Sequence, residues 1–316
     1  MKKQPLKGRV AVVAGATRGA GRGIACALGE AGAIVYCTGR SVRGKPATKG
    51  RTETIEQTAE MVSASGGTGI WVQVDHTEPA QVKALFARVK SERKGLDILV
   101  NDVWGGDELT EFGKTFWRLS LDKGFAMLRQ AVHSHIITSH YAAPLMLGRR
   151  RALIVEITDG DAFGYRGNLF YDLVKDTVIR LAMMMAYELR KKDVTALAVT
   201  PGFLRSEAML DRFGVTEANW RSVGKKEPDF LVSETPLFVG RGIAALAADP
   251  KIKKKTGRVF ASWDLSDEYG FVDADGSRPH WGRHFAKKYG TYKKFDDTLF
   301  RYFWETPMAL AFPDWP

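Results

Sequence analysis

Apolar and polar positions follow two alternating periods along most of the chain. Short runs rich in Val, Ile and Leu predict buried strands, and stretches with apolar residues three and four apart predict helices. The predicted strands are residues 9–14, 33–38, 70–74, 98–100, 152–157, 194–200 and 258–262. The predicted helices between them are residues 22–31, 52–64, 78–90, 125–147, 169–191 and 236–248. This alternation predicts an α/β fold with one doubly wound, parallel sheet of seven strands.

Two stretches interrupt the alternation. Residues 102–124 are too long for an ordinary connection between a strand and a helix, so we predict an insertion over a site. Residues 264–316 follow the last predicted strand, and residues 281–316 alone hold 11 of the 34 aromatic residues of the chain. A segment this aromatic is expected to pack rather than to stay disordered. We therefore predict a single domain of residues 1–263 and an extension of residues 264–316 packed on it.

The composition narrows the class of protein. The chain has 316 residues, of which 45% are hydrophobic and 26% charged, which is typical of a globular protein. Two cysteines, Cys26 and Cys37, are too few for a disulfide scaffold or a four-cysteine zinc site, and we expect no metal. No apolar run approaches the roughly 18 residues of a membrane span, and the N-terminal residues do not read as a signal peptide. We expect a soluble, cytoplasmic protein.

The charge balance calls for an anionic partner or a basic surface. Lys and Arg number 47 against 36 Asp and Glu, a formal net charge of +11. Such a balance is compatible with nucleic acid, an anionic membrane or a phosphorylated ligand. The basic run at residues 251–255 follows a predicted helix, where cations complement the helix dipole. We therefore expect a phosphorylated ligand and no nucleic-acid partner.

A glycine-rich turn follows the first predicted strand. Glycine permits positive φ angles and lets the backbone approach a ligand closely. Between a strand and a helix N-terminus, such a turn can hold a pyrophosphate through free N–H groups and the helix dipole. The alternative is a tight turn with no ligand. The candidate phosphate-binding residues are Gly15, Thr17, Arg18, Gly19, Ala20 and Gly21.

Basic residues follow the second predicted strand. An NAD site usually has an acidic residue here for the ribose 2′-hydroxyl, but Arg40 stands in its place, with Arg43 nearby. Together with Arg18, these guanidinium groups suit a 2′-phosphate, although they can also be solvated surface arginines. Asp75, after the third strand, can accept from an adenine amino group. Alternatively, Asp75 or Thr77 caps the next helix.

Tyr171 and Lys175 form the candidate chemical pair. They lie at positions i and i+4 near the start of a predicted helix, so both side chains share one face. A nearby ammonium group stabilises tyrosinate and makes the phenol a usable general acid or base. A Tyr-x-x-x-Lys pair on an ordinary exposed helix face is the alternative.

These motifs together resemble the short-chain dehydrogenase/reductase family over about residues 6–263. The matching positions are the glycine cradle, Asp75, Asn101, the Tyr171–Lys175 pair and Pro201-Gly202, with Ser206 where the family often has a carboxamide-binding Thr. The resemblance implies a Rossmann sheet of order 3-2-1-4-5-6-7 and a nicotinamide cofactor. It also implies Tyr171 as proton donor or acceptor and Lys175 as its cationic partner. Arg40 fits NADP(H)-preferring members. The sequence also resembles the subgroup of animal dehydrogenase/reductase member one proteins, which share a long loop after the fourth strand.

The sequence departs from the family pattern at two positions. The family's catalytic Ser corresponds to Thr158 by spacing from Tyr171, or to Asp159 by the end of the fifth strand. A Thr hydroxyl can donate, whereas an ionised Asp cannot donate and would raise the pKa of Tyr171; a protonated Asp can donate. The family's helical Asn is not identifiable, and His133 or His135 in that region either supports a proton relay or is structural.

Two functions are compatible with these observations. The first is an NADP(H)-dependent oxidoreductase that transfers hydride between nicotinamide and a carbonyl or alcohol, with an apolar or aromatic substrate. The second is an NADP(H)-binding regulatory or interaction protein whose catalysis has decayed. The helix at residues 169–191 carries more apolar residues than one inward stripe needs. By resemblance, we therefore predict a homodimer or homotetramer.

Overall fold

Seven parallel strands form one sheet in the order β3-β2-β1-β4-β5-β6-β7 in the computed structural model. The structure describes residues 4–162, 164–291 and 294. Every pairing in the sheet is parallel, so the carboxyl ends of all strands meet at one edge. The strands are Val10–Ala14 (β1), Ile34–Gly39 (β2), Thr68–Gln73 (β3), Ile98–Asn101 (β4), Ala152–Ile157 (β5), Val194–Thr200 (β6) and Val259–Ala261 (β7). The predicted fold class and strand order are confirmed.

Helices cover both faces of the sheet. In chain order, the α-helices of the described residues are Gly19–Glu30 (α1), Ile55–Ala64 (α2), Pro79–Arg93 (α3), Leu121–Leu128 (α4), Ser134–Met146 (α5), Leu169–Glu188 (α6), Glu207–Phe213 (α7), Pro236–Ala248 (α8), Ser262–Tyr269 (α9) and Trp281–Tyr289 (α10). A π-helical turn, Arg129–His133, joins α4 to α5.

The side chains of β1 divide the core into two layers. Ala11 and Val13 face the layer built with α1, α2, α8 and α9. Val10 and Val12 face the layer built with α3, α5 and α6. Because both faces of the sheet are covered, the central strands are buried on both sides, which explains their nearly continuous apolar sequences.

Side-chain caps fix where several helices begin. Thr54 caps α2 in a reciprocal capping box with Gln57. Asn168 caps α6 through a 3.0 Å hydrogen bond from the Tyr171 amide. This cap places Tyr171 in the first turn of α6, at the carboxyl edge of the sheet.

Some predicted element boundaries were wrong. Helix α1 begins at Gly19, inside the glycine-rich turn, whereas the apolar pattern predicted a start at residue 22. The predicted last strand continued to residue 262, but Ser262 begins α9. Helix α4 begins at Leu121, within the predicted insertion. Helices α7 and α10 were not predicted, although Trp281, Phe285 and Tyr289 recur every four residues along one face of α10. An apolar period alone does not locate where an element begins and ends.

The C-terminal extension is described as far as α10 and Lys294. Helix α9 packs against α8 through Leu265, which belongs to the core. Helix α10 packs its Trp281 ring against Phe203 at a centroid distance of 5.7 Å. The predicted packing of Trp304 and Trp315 lies outside the described residues.

Candidate active site

A cleft of about 860 Å³ lies at the carboxyl edge of the sheet. Fourteen of the sixteen predicted site residues line it: Gly15, Thr17, Arg18, Gly19, Ala20, Arg40, Asp75, Thr158, Asp159, Tyr171, Lys175, Pro201, Gly202 and Ser206. The other two, Gly21 and Asn101, are buried beneath it. Clefts at this edge are where doubly wound folds bind ligands, so the predicted residues converge at the expected place.

The glycine-rich turn is shaped by the strand beside it. Gly15 has φ +89°, and a Cβ at this position would lie 2.5 Å from the carbonyl oxygen of Asp102, just after β4. A Cβ at Gly21 would lie 2.3 Å from the Gly15 carbonyl oxygen. Only glycine fits at these two positions, and the turn leaves the N-terminus of α1 open to an anion.

The glycine-rich turn and the N-terminus of α1 together form an anion cradle, and a carboxylate of the chain itself contacts it. Glu207, at the start of α7, accepts a 2.8 Å hydrogen bond from the Gly19 amide. The guanidinium of Arg22 lies 3.6 Å from the same carboxylate. Sequence reasoning missed Glu207, because nothing local signals a contact across 188 residues. The contact demonstrates that the Gly19 N–H is available to a negatively charged oxygen.

The arginines proposed for a 2′-phosphate take separate positions. Arg40 lines the cleft and lies 3.9 Å from Asp75. Arg18 also lines the cleft, with its guanidinium 3.5 Å from Glu53. Arg43 instead forms a 2.6 Å ion pair with Glu60 on the exposed surface. Arg18 and Arg40 therefore line the cleft together with Lys49, whereas Arg43 does not.

Asp75 closes a small turn and does not cap α3. Its Oδ1 accepts hydrogen bonds from the Thr77 amide at 2.9 Å and the Thr77 hydroxyl at 2.7 Å. The residue at the N-terminal cap of α3 is Glu78, without a side-chain hydrogen bond to the helix. The alternative that Asp75 or Thr77 caps this helix was therefore wrong.

The hydroxyl of Tyr171 donates a 2.5 Å hydrogen bond to Asp159. Burial raises the pKa of Tyr171 well above the usual phenol value, and the negative charge of Asp159 raises it further. The Asp159 carboxylate also lies 3.8 Å from the guanidinium of Arg166. Tyr171 is therefore held in its protonated form.

Thr158 points away from Tyr171. Its hydroxyl donates a 2.7 Å hydrogen bond to the backbone carbonyl of Lys175, within α6. Of the two residues that sequence reasoning left open, Asp159 is the one that faces the phenol.

Lys175 lies under an aromatic side chain from the loop after β4. Its ammonium is 4.0 Å from the centroid of the Trp104 ring and 5.5 Å from that of Tyr171. Burial lowers the pKa of Lys175, and the negative charges of Asp159 and Asp102 oppose this effect. Burial raises the pKa of Asp102 to about 7, against the positive charges of Lys175 and His135.

A buried polar network lies beneath the cleft. Asn101 donates 2.7 and 2.9 Å hydrogen bonds to Glu156 and Ser139. Glu156 also contacts His135, whereas His133 is exposed. Because Asn101 is fully buried and outside the cleft, the structure does not place it as a direct cofactor ligand. No local pattern indicates that Glu156 takes part in the network, since it lies within an otherwise apolar strand.

The Pro201-Gly202 turn after β6 is held by another buried carboxyl group. Glu234 accepts hydrogen bonds from the Gly202 amide at 2.9 Å and the Ser262 hydroxyl at 2.5 Å. Burial raises the pKa of Glu234 to about 8. Ser206 follows this turn and caps α7 through the Met209 amide.

Aromatic and other apolar residues form part of the cleft lining. Trp281 reaches it from α10, and Trp104, Phe203 and Leu109 line it as well. Asp229 anchors α10, because it accepts hydrogen bonds from His284 at 2.8 Å, Lys288 at 2.6 Å and Tyr289 at 2.7 Å. The aromatic composition of the extension signalled packing, but not that Trp281 reaches the cleft.

Two further findings concern the described part of the chain. There, no group of three or more His, Cys, Asp or Glu side chains is arranged to hold a metal ion. Over the same residues, no helix combines the length and apolar character needed to cross a membrane.

The sheet order, the anion cradle between β1 and α1 and the Tyr171–Lys175 pair define a dehydrogenase of the short-chain type. The sequence model of the short chain dehydrogenases matches residues 9–214. The chain belongs to the short-chain dehydrogenase/reductase family, which is a family of oxidoreductases.

Individual relatives agree with this assignment. The mouse protein named dehydrogenase/reductase SDR family member 1 is 35% identical over 276 residues, covering 86% of this chain and 85% of its own. A short chain dehydrogenase structure from Mycobacterium thermoresistibile superposes with a TM-score of 0.72 at 21% identity, covering 87% of this chain and 92% of that one. The structure of L-sorbose reductase from Gluconobacter frateurii, complexed with NADPH and L-sorbose, has a TM-score of 0.67 at 19% identity, covering 87% and 98%.

Proposed function

We propose that the protein is an NADP(H)-dependent carbonyl reductase or alcohol dehydrogenase, with Tyr171 as proton donor or acceptor. The observation that carries the proposal is the Tyr171–Lys175 pair lining a cleft that also contains an anion cradle. The cofactor supplies or accepts the hydride when it is bound. The residues of this chain bind the cofactor, orient the substrate and move the proton.

The residues present fit a dinucleotide with a 2′-phosphate. The cradle has glycines where a Cβ would collide with the backbone, and the Gly19 N–H already donates a hydrogen bond to a carboxylate. We assign Gly15, Thr17, Gly19 and Ala20 to the pyrophosphate side, and Arg18 and Arg40 to the 2′-phosphate. Asp75 is assigned to the adenine, and Pro201, Gly202 and Ser206 to the nicotinamide side. The NADPH in the complex of L-sorbose reductase supports the choice of cofactor by analogy.

The electrostatics favour reduction with Tyr171 as the acid. Its raised pKa keeps the phenol protonated near neutral pH, so a proton is available for the carbonyl oxygen of the substrate. To donate this proton, the hydroxyl has to turn from Asp159 toward the substrate. The Lys175 ammonium then stabilises the tyrosinate against repulsion from Asp159.

The lining of the cleft favours an apolar or aromatic substrate. Trp104, Phe203 and Trp281 contribute aromatic surface to the cleft. Aromatic side chains bind ligands largely through burial of apolar surface. We therefore expect aryl ketones and aldehydes to be better substrates than short aliphatic ones.

We also infer a homo-oligomeric enzyme in the cytoplasm.

The decisive experiment measures NADPH consumption with a panel of carbonyl compounds. Tyr171→Phe should lower kcat roughly 100-fold to 10,000-fold, the usual loss for a missing general acid. Tyr165→Phe is the matched control, because Tyr165 is exposed outside the cleft, and it should keep full activity. Wild-type activity in Tyr171→Phe would refute the assignment of the acid.

A second candidate function follows from one observation. Asp159 stands against Tyr171, where the family usually has a hydroxyl donor. This departure favours an NADP(H)-binding protein without catalysis. Calorimetric binding of NADPH, without turnover in either the wild type or Asp159→Ser, would select this candidate over the reductase.

A further inference from the structure

A histidine and a glutamate form a buried pair directly beneath the cleft. Glu156, in β5, is 0% exposed, and His135, in α5, is 2% exposed. The His135 Nδ1 lies 2.6 Å from the Glu156 carboxylate. Glutamate is almost never fully buried unless it is paired, and neither residue has a role in the proton transfer proposed above.

The second nitrogen of His135 contacts the loop after β4. Nε2 lies 3.1 Å from the backbone carbonyl of Val103. A carbonyl oxygen can only accept, so Nε2 carries a hydrogen. One further proton is shared between Nδ1 and Glu156. The ring therefore bridges β5 to the point where the chain leaves β4.

This bridge ends next to the residue that covers Lys175. Val103 directly precedes Trp104, and the Trp104 ring lies 4.0 Å from the Lys175 ammonium and 5.3 Å from the Tyr171 ring centroid. The position of Trp104 sets the cation–π contact that helps to keep a buried ammonium charged. A shift of the Val103 carbonyl would therefore move the Trp104 ring away from the Lys175 ammonium.

The helix that carries His135 is distorted just before it. The π-helical turn Arg129–His133 immediately precedes α5. A π-helical turn inserts an extra residue and rotates the following side chains, and such turns are frequent at functional sites. Here His133 is exposed while His135 is buried toward Glu156.

We propose that His135 and Glu156 are positioning residues for the proposed reaction. The pair holds the Val103 carbonyl, and through it places Trp104 against Lys175. This inference rests on the proposed function, because Lys175 matters only if it supports Tyr171. Its molecular part, the hold on Trp104, can be measured without turnover.

Two substitutions of His135 separate the two hydrogen bonds. In His135→Asn, the amide nitrogen falls near the position of Nδ1, so it can donate to Glu156 but cannot reach Val103. In His135→Gln, the amide nitrogen falls near the position of Nε2, so it can donate to Val103 while the contact with Glu156 is lost. Both variants replace the imidazole ring by an amide, so they share the loss of the ring and differ in which of the two contacts they keep.

The full-length variants are compared by thermal stability, NADPH affinity, steady-state kinetics and the rate at which acetic anhydride labels Lys175. We expect His135→Asn to lower kcat roughly tenfold to 100-fold, as misplaced catalytic groups do, with the Kd for NADPH within about twofold of wild type. Labelling of Lys175 should become several-fold faster. His135→Gln should keep the wild-type kcat and the slow Lys175 labelling of the wild type, even where its Tm is lower. Trp104→Ala should reproduce the labelling of His135→Asn.

Several outcomes would overturn the proposal. If kcat and the rate of Lys175 labelling change in proportion to the loss of Tm in both His135→Asn and His135→Gln, the pair is purely structural. If labelling is unchanged in His135→Asn, the pair does not hold Trp104. If the wild type binds NADPH without turnover, the proposed function fails, and the labelling rates still decide whether the pair positions Trp104. Should His135→Asn not fold, Glu156→Gln tests the same pair through the same labelling assay.

Discussion

At the scale of single residues, a phenol that donates to a carboxylate distinguishes this site. Tyr171 donates to Asp159, and the Asp159 charge and burial both raise the pKa of Tyr171. Sequence reasoning identified both residues, but it could not decide between Thr158 and Asp159. The answer depends on the direction of two side chains at the end of β5, and only the packing of α6 fixes that direction.

The pH dependence of activity should report the charge of Asp159. Asp159→Ser removes a negative charge next to Tyr171, so the pKa of the phenol falls. Oxidation needs tyrosinate, so its activity should rise at lower pH than in wild type. Reduction needs the protonated phenol, so its alkaline limb should also move to lower pH. Profiles of kcat against pH in both directions check this sign, and a move to higher pH would contradict it.

The contact between Glu207 and Gly19 should oppose cofactor binding. A phosphate that binds the Gly19 N–H has to displace the Glu207 carboxylate. Because a charge-assisted hydrogen bond is worth about 1.5 to 3 kcal/mol, Glu207→Ala should lower the Kd for NADPH roughly tenfold. Glu78→Gln is the control, because Glu78 pairs with Arg129 on the surface away from the cradle. Weaker binding by Glu207→Ala in fluorescence titration would mean that Glu207 contributes to the cofactor site.

At the scale of elements, the approach of α1 to α8 sets the geometry behind the glycine cradle. A Cβ on Gly23 would lie 2.1 Å from the backbone of Pro236, and a Cβ on Gly240 would lie 2.6 Å from the Gly23 carbonyl oxygen. The glycines in this part of the chain therefore serve helix packing as well as the proposed phosphate site. Sequence reasoning assigned Gly15, Gly19 and Gly21 to a ligand, but it gave Gly23 no packing role, because α8 lies more than 200 residues away along the chain.

Gly23→Ala should destabilise the protein. Alanine is about 1 kcal/mol better than glycine within a helix, yet the added methyl has to displace the backbone of α8. Overpacking of this kind costs about 1 to 3 kcal/mol or more, so a net loss of roughly 1 to 2 kcal/mol is expected. Gly164→Ala is the control, because a Cβ there meets open space. The midpoints of urea unfolding measure both, and equal midpoints for the two variants would contradict the packing argument.

At the scale of the whole molecule, exposed apolar side chains on two helices remain to be explained. Ile136 on α5 is 47% exposed and Met184 on α6 is 45% exposed. Exposed apolar residues are common on monomers, but Met and other large apolar side chains are frequent in the cores of interfaces. They support the predicted homodimer or homotetramer, which stays a prediction.

Analytical ultracentrifugation tests the predicted assembly. The wild type should sediment as a dimer or tetramer, and Ile136→Glu with Met184→Glu should convert it to a monomer, because buried unpaired carboxylates are costly. Met61→Glu is the control, because Met61 is similarly exposed at 44%, but lies on α2. A wild type that sediments as a monomer would refute the prediction, and dissociation by Met61→Glu alone would relocate the interface.

The net charge of +11 also belongs to this scale. Sequence reasoning assigned Arg18, Arg40 and Arg43 to a cofactor phosphate. The structure brings Arg18 and Arg40 to the cleft and pairs Arg43 with Glu60 outside it. Arg40 and Arg43 are only three residues apart in sequence. They face different surroundings because the chain turns after β2.

The strand order followed from the family resemblance, whereas the sequence by itself determined the seven strands, the glycine-rich turn and the Tyr171–Lys175 pair. These depend on local periods, glycine positions and a spacing of four residues within one helix, all of which the linear chain records. Only the tertiary structure decided that Asp159 faces Tyr171, that Glu207 reaches Gly19 and that His135 bridges Glu156 to Val103. Each of these contacts joins side chains from separate elements. Their geometry depends on how helices pack on the sheet, and no local pattern encodes that packing.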